Sequence, residues 1–308
     1  MKRRRILKSV GAAAVLGACV PWWLIEQRPK LQTQAQVQHP LPDPLPEQNY
    51  PDRALPVLHD PEPARELDES GAASRKVRRF DKDYAQDIHL AGEKHQVLQT
   101  ALVRMHRLQA YVGHGHFSLL DFDHMLNYAR QYRHIGAFTA PEQAFLEEIF
   151  SFDASKYGFK GTKVMTNLTD RIVHKDIIKI PHSGNYIYRA DSLGMYRRLK
   201  HEVGDSMVLT SGIRSVVKQM HLFLSKVLQT DGNLSQASRS LAPPGYSYHG
   251  IGDFDVGQAG FGADNFTARF AGTQAFKKLH SLDYVDIRYT NGNKLGVRFE
   301  PWHIKVVS

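Results

Sequence analysis

From Val97 to Val112 the apolar residues Val97, Ala101, Leu102, Met105, Leu108 and Val112 recur at spacings of three and four, which predicts a helix with one apolar face. Gly113 stops it. Ser118 is placed to cap a second helix carrying Phe122, Met125, Leu126 and Ala129. Thr139 and Glu142 form a capping box for a third, with Phe145 and Ile149 inward. These make a helical subdomain over residues 80–160. Beyond Lys160 the period shortens to that of strands, at 176–180, 186–188 and 207–210, with a short helix capped by Asp191 between them. An amphipathic helix follows with Val217, Met220, Leu224 and Val227, then another at about 273–282. A last strand pair, 284–289 and 294–299, is joined by the turn Asn291-Gly292-Asn293. Residues 161–308 therefore read as an α+β domain.

Composition changes the picture mostly at the front. The chain of 308 residues is 42% hydrophobic and 23% charged, enough for a sizeable core. Residues 1–25 combine a basic start with an apolar run from Val10 to Leu16, and read as an export segment. Arg3-Arg4-Arg5-Ile6-Leu7-Lys8 looks like a twin-arginine signal. Leu16-Gly17-Ala18-Cys19 looks like a lipobox, with Cys19 the lipidated residue. An uncleaved anchor is the alternative, because apolar character resumes from Val20 to Ile25. Either form places the protein in the bacterial envelope or periplasm, tethered to a membrane. Nine of the 15 prolines lie between Pro29 and Pro63, so residues 26–79 read as a disordered spacer.

Charge argues against nucleic acid. The formal net charge is +9, but Lys2, Arg3, Arg4, Arg5 and Lys8 supply five of those charges. The remainder is a mild excess with no basic stripe interleaved with aromatics. Cys19 is the one cysteine in the chain, which excludes an internal disulfide and leaves metal binding to histidines and carboxylates. Among 16 histidines most read as ordinary. His89, His95, His106 and His124 fall on polar or boundary positions of helices. His114-Gly115-His116 reads as a loop, and His221 as a semi-buried, hydrogen-bonded histidine.

Two stretches stand apart. In a straight strand, His249 and Asp255 of Ser247-Tyr248-His249-Gly250-Ile251-Gly252-Asp253-Phe254-Asp255 would be about 20 Å apart. Gly250 and Gly252 allow a tight reversal instead. Asp253 and Asp255 are two apart and share a strand face, so either suits a metal. At the other end, Glu300 and His303 would face opposite sides of a regular strand. Pro301 breaks that regularity and predicts a kinked, extended end that brings both to one place. Two histidines and a carboxylate, with a further Glu beside them, are what a hydrolytic zinc site needs. Upstream, Arg214 at a strand-to-helix junction is placed to bind an anion, or to form a surface salt bridge.

With these residues assembled, Ser206 to Val307 resembles the VanY-like D-alanyl-D-alanine carboxypeptidases and dipeptidases, zinc peptidases that share a fold with the hedgehog signalling domain. The matching blocks occur in order: Ser211, Gly212, Arg214, Ser215 and Gln219; then Pro244, Gly245, Ser247, His249 and Gly252; then Glu300, Trp302 and His303. The resemblance implies an α+β hedgehog/DD-peptidase-like domain that binds one Zn2+ through His249, an aspartate and His303. It implies Glu300 as general base, Arg214 at the oxyanion or the substrate carboxylate, and Ser247 and Gln219 as substrate-binding residues. The family's aspartate usually lies seven residues after the first histidine, where this chain has Val256; alignment on the following apolar residue makes Asp255 the ligand and Asp253 the alternative. The implied substrate is the peptidoglycan stem peptide. A non-catalytic, metal-containing cell-wall binding or scaffolding module is the competing reading, and the shortened spacing motivates it.

Overall fold

The structure, a computed structural model, describes residues 69–306. The export segment, Cys19 and most of the proline-rich stretch lie outside the described residues. Where composition reads as spacer, Glu69–Arg78 form helix α1. The prolines end at Pro63, and Ala72, Ala73, Arg75 and Lys76 all carry good helix propensity.

Helix α2 (Gly92–Val112) buries Leu98, Ala101, Leu102, Met105 and Leu108, so Leu98 takes the inner position expected of Val97. Gly113, at φ 80°, ends it. His114–Phe117 then form a short helical turn, α3, instead of a loop. Ser118 caps the wrong end for the expected role: its hydroxyl donates to the His114 carbonyl, closing α3. The N-cap of α4 (Phe122–Gln131) is Asp121, whose carboxylate accepts from the His124 N–H at 2.9 Å. A charged oxygen on a free N-terminal N–H outcompetes a serine three residues away. Helix α5 (Ala140–Ser151) has the full Thr139–Glu142 capping box.

The second half begins with a hairpin of β1 (Ile177–Lys179) and β2 (Tyr186–Tyr188). Helix α6 (Asp191–Val203) has Ala190 at its N-cap, and Asp191 lies in the first turn with no side-chain cap bond. Strand β3 (Met207–Ser211) leads to α7 (Val216–Gln229) and the short α8 (Leu234–Ser238). After β4 (Phe254–Gln258) come two 3-10 turns, helix α9 (Gln274–His280), β5 (Asp286–Ile287) and β6 (His303–Lys305). The antiparallel sheet runs β3-β4-β6-β5. The architecture is α+β, as the sequence predicts.

The last strand pair differs from expectation. Strand β5 has only two residues and pairs with β6, while 294–299 is not a strand. Its backbone bonds elsewhere: the Leu295 carbonyl accepts from Lys160 N–H, and Arg298 N–H donates to the Arg239 carbonyl. The Asn293 side chain also spans the loop, donating to the carbonyls of Thr290 and Val297. Those bonds remove the groups a ladder would need.

Among the described residues two apolar cores form. One joins α2, α4 and α5 to α7 and α8, so helices on both sides of residue 160 share it. The other packs α6 and α9 on one face of the large sheet through Leu199, Val203, Phe254, Val256, Leu279 and Ile304. Strand alternation then decides what the opposite face carries. With Phe254, Val256 and Ile304 facing the core, Asp255 and His303 must point the other way.

Candidate metal centre

Register brings the first two residues together. Asp255 on β4 and His303 on β6 are direct cross-strand partners, where side chains lie about 5 Å apart. Ser211 of β3 stands opposite Asp255 on its other side, after an irregularity that follows Leu209. His249 arrives from a 3-10 turn, Tyr248–Gly250. Gly252, at φ 142°, then turns the chain into β4, a backbone conformation open to little but glycine. The reversal read from the two glycines is present.

His249, Asp255 and His303 are all buried, and each offers a ligand atom within 4.8 Å of the others. His249 Nδ1 lies 2.7 Å from the Gly212 carbonyl, so it donates there and turns the Nε2 lone pair inward. His303 Nε2 lies 3.0 Å from Asp253 Oδ2, which leaves Nδ1 facing Asp255 Oδ1 at 3.4 Å. His249 Nε2 is 3.3 Å from the same Oδ1. Both His249 Nε2 and Asp255 Oδ1 are buried without a hydrogen-bond partner. Orphaned buried polar atoms cost stability unless something binds them. A nitrogen lone pair, a carboxylate oxygen and a second nitrogen converging on one point fit a divalent cation such as zinc.

The surrounding groups hold these donors in place. Asp255 Oδ2 accepts from Arg214 Nη2 at 2.6 Å, and Arg214 Nε donates to Ser211 Oγ. Burial alone would raise the Asp255 carboxyl, but His249 and Arg214 outweigh it and bring it down to about 2. Burial, helped by Arg214, lowers His249 to about 4, so it is neutral at pH 7. His303 goes the other way: burial would lower it, but the hydrogen bond to Asp253 and the nearby Glu300 carboxylate raise it to about 9.

Asp253 is therefore the residue behind His303. It accepts two bonds from Arg288, at 2.7 and 3.0 Å, and one from the Val306 N–H. Burial opposes its ionisation, but the bonds from His303 and Arg288 hold its carboxyl well below the usual range. The two-residue spacing that made Asp253 a candidate ligand put it on the right face, one layer further out. Arg288 was not singled out in the sequence, although a lone arginine among Val285, Ile287 and Tyr289 was the available sign.

Glu300 and His303 meet through a turn, not an extended kink. His303 N–H donates to the Glu300 carbonyl at 3.1 Å, with Pro301 and Trp302 as the turn residues. Pro301 sits where its fixed φ suits the second turn position. Glu300 Oε2 lies 3.6 Å from His303 Nδ1. Ser247 is buried at the start of the 3-10 turn. Gln219 is buried too, and its Nε2 donates to the Ala242 carbonyl at 2.6 Å, bracing the loop that leads to Ser247 and His249. His221 is not the hydrogen-bonded histidine expected: it is buried with neither ring nitrogen partnered, and burial, with Lys218 beside it, lowers it to about 2.

Residues 190–308 match the family model described as VanY, D-alanyl-D-alanine carboxypeptidase. Among solved structures, the chain is similar to a mutant of the vancomycin-resistance D,D-pentapeptidase VanY in complex with Zn(II), at 20% identity over 43% of this chain and 78% of that one, TM-score 0.33. It is also similar to the LdcB LD-carboxypeptidase, at 25% identity over 44% and 70% of the two chains, TM-score 0.37. A third is VanYB in complex with D-alanine-D-alanine, at 20% identity over 43% and 77%, TM-score 0.33. No curated protein matches the chain.

Proposed function

We propose that this chain is a zinc-dependent carboxypeptidase acting on peptidoglycan stem peptides, a reading supported by the match of residues 190–308 to the VanY, D-alanyl-D-alanine carboxypeptidase, family model. The observation that carries the reading is the convergence of three inward donors, His249 Nε2, Asp255 Oδ1 and His303 Nδ1, beside a carboxylate that is not one of them. One zinc ion would be held by those three residues. Bound zinc supplies Lewis acidity, polarising a carbonyl and bringing the pKa of water to about 7.

The chain's own residues then divide the work. Glu300 takes the proton of the attacking water and passes it to the departing amine as the C–N bond breaks. Arg214, fixed by Asp255 and Ser211, places positive charge where negative charge develops or where the substrate's terminal carboxylate lies. Ser247 joins it at that carboxylate, and Gln219 holds the loop that presents Ser247. A lipid on Cys19, or an anchor in residues 1–25, would keep the enzyme at the envelope beside its substrate. Among the described residues no helix is long and apolar enough to cross a membrane.

Metal analysis of the purified chain, together with product identification from defined stem peptides, tests the proposal. It expects one zinc per chain and release of D-alanine from a pentapeptide stem, for a D,D-enzyme, or from a tetrapeptide stem, for an L,D-enzyme. Stoichiometric zinc with neither peptide cleaved would mean a metal-containing cell-wall binding module instead.

A further inference from the structure

Glu300 is bracketed by two groups. Its Oε2 faces His303 Nδ1 at 3.6 Å and its Oε1 faces Arg298 Nε at 3.9 Å, so the two oxygens point to different partners. The Arg298 side chain is only 15% exposed. Its guanidinium lies 4.8 Å from the Phe80 ring centre and 5.1 Å from that of Trp302, and Nη2 donates to the Phe266 carbonyl at 3.1 Å. Nε is buried with no hydrogen-bond acceptor of its own. Leaving such a donor unused is unfavourable, and the anion within ion-pair distance of it is Glu300.

Phe80 comes from far away in sequence. The segment that carries it is clamped to the second half of the chain by Arg239, which makes two bonds to Asp87 and donates to the carbonyls of Lys82 and Phe80. Arg298 N–H in turn donates to the Arg239 carbonyl. A strap N-terminal to α2, outside the residues matched by the family, thus reaches the residue next to the proposed base.

We propose that Arg298 is a positioning residue for Glu300, holding the outer carboxylate oxygen so that Oε2 stays at the ligand cluster, and that Phe80 keeps Arg298 in place. This rests on Glu300 acting as the base. Arg298 touches neither ligand histidine in this role; it acts by fixing one rotamer of its neighbour. A near-attack arrangement is lost when a catalytic group is displaced by about 1 Å, so a modest loosening has a large effect on turnover.

The test compares Arg298→Met, Arg298→Lys and Phe80→Ala with wild type in kcat, KM, zinc content and crystal structure. Arg298→Met is expected to lower kcat roughly 10- to 100-fold with KM within about 2-fold and zinc stoichiometry unchanged. Its crystal structure should show the Glu300 carboxylate turned away from His303. Arg298→Lys should recover part of the loss, and Phe80→Ala should lower kcat in the same sense but less. In a Glu300→Gln background Arg298→Met should have no further effect. A raised KM with kcat intact would make Arg298 a substrate residue and overturn the proposal, as would an unmoved Glu300 in the variant's crystal structure. The structural readout stands even if wild type cleaves neither stem peptide, the outcome that would instead count against the proposed function.

Discussion

Of the buried aspartate–arginine pairs among the described residues, those of Asp87 and Asp255 are finished differently. Asp87 is closed: Arg239 donates to both its oxygens, at 3.0 and 2.8 Å, and Asn233 and the Tyr84 N–H add two more bonds to Oδ2. Asp255 is open: Arg214 takes Oδ2, while Oδ1 is buried with no hydrogen bond and faces two histidine nitrogens. A buried ion pair by itself is weak evidence for anything. What separates scaffold from site is the donor capacity left over once the pair is made.

Removing each carboxylate would break that comparison most directly. Asp255→Ala is expected to abolish stoichiometric zinc and lower activity by at least about 10⁴-fold, near the upper range for losing a group the chemistry depends on; retained zinc by metal analysis would sink the ligand assignment. Asp87→Ala should leave zinc content intact but cost about 3–5 kcal/mol in denaturant unfolding, because Arg239 is left buried and unpaired. Acid sharpens the contrast. Burial pulls the Asp87 carboxyl up, yet the bonds from Arg239 and Asn233 more than offset it and leave it lowered in the fold. Its contribution is therefore present above about pH 4 and lost as pH falls through the lowered folded value. Asp87→Asn should flatten the loss of stability below that pH, and an unchanged acid profile would count against the pair.

Smaller effects come from the second layer. Asp253→Asn should weaken zinc binding by about 10- to 100-fold in competition with a chelator, since the partner of a ligating histidine tunes it. With His303 raised to about 9 in the metal-free protein, zinc uptake at pH 7.5 should release about one proton, measurable by calorimetry in buffers of different ionisation enthalpy. No proton release would contradict the charge state assigned to His303. Least of all, Thr139→Ala should cost about 1 kcal/mol by chemical denaturation through the lost cap; no change would show the box to be redundant.

Much of the fold was legible because periodicity and capping are local. The α2 stripe, the Thr139 box and strands β1 to β3 follow from residues that are close in sequence. The errors came where a distant backbone group intervened. Residues 294–299 look like a strand, but Lys160 and Arg239 take their hydrogen bonds. The approach of His249 and His303 was readable because each lies near a glycine or proline that explains it, whereas Asp255 was set apart from Asp253 only by the family resemblance. Arg288, the Gly212 carbonyl and the Phe80–Arg298 contact were not readable, since they depend on which elements the fold lays side by side.

The two histidines differ in how they can be lost through mutation. His303 owes its orientation to a side chain, so one nucleotide change at the Asp253 codon can undo it. His249 is oriented by a main-chain oxygen, at Gly212, that no substitution deletes. Access to that oxygen still depends on residue identity, because a Cβ at Gly212 would lie 2.0 Å from the Tyr186 carbonyl oxygen. One histidine is thus open to gradual drift through its partner, while the other is protected until the backbone itself is displaced.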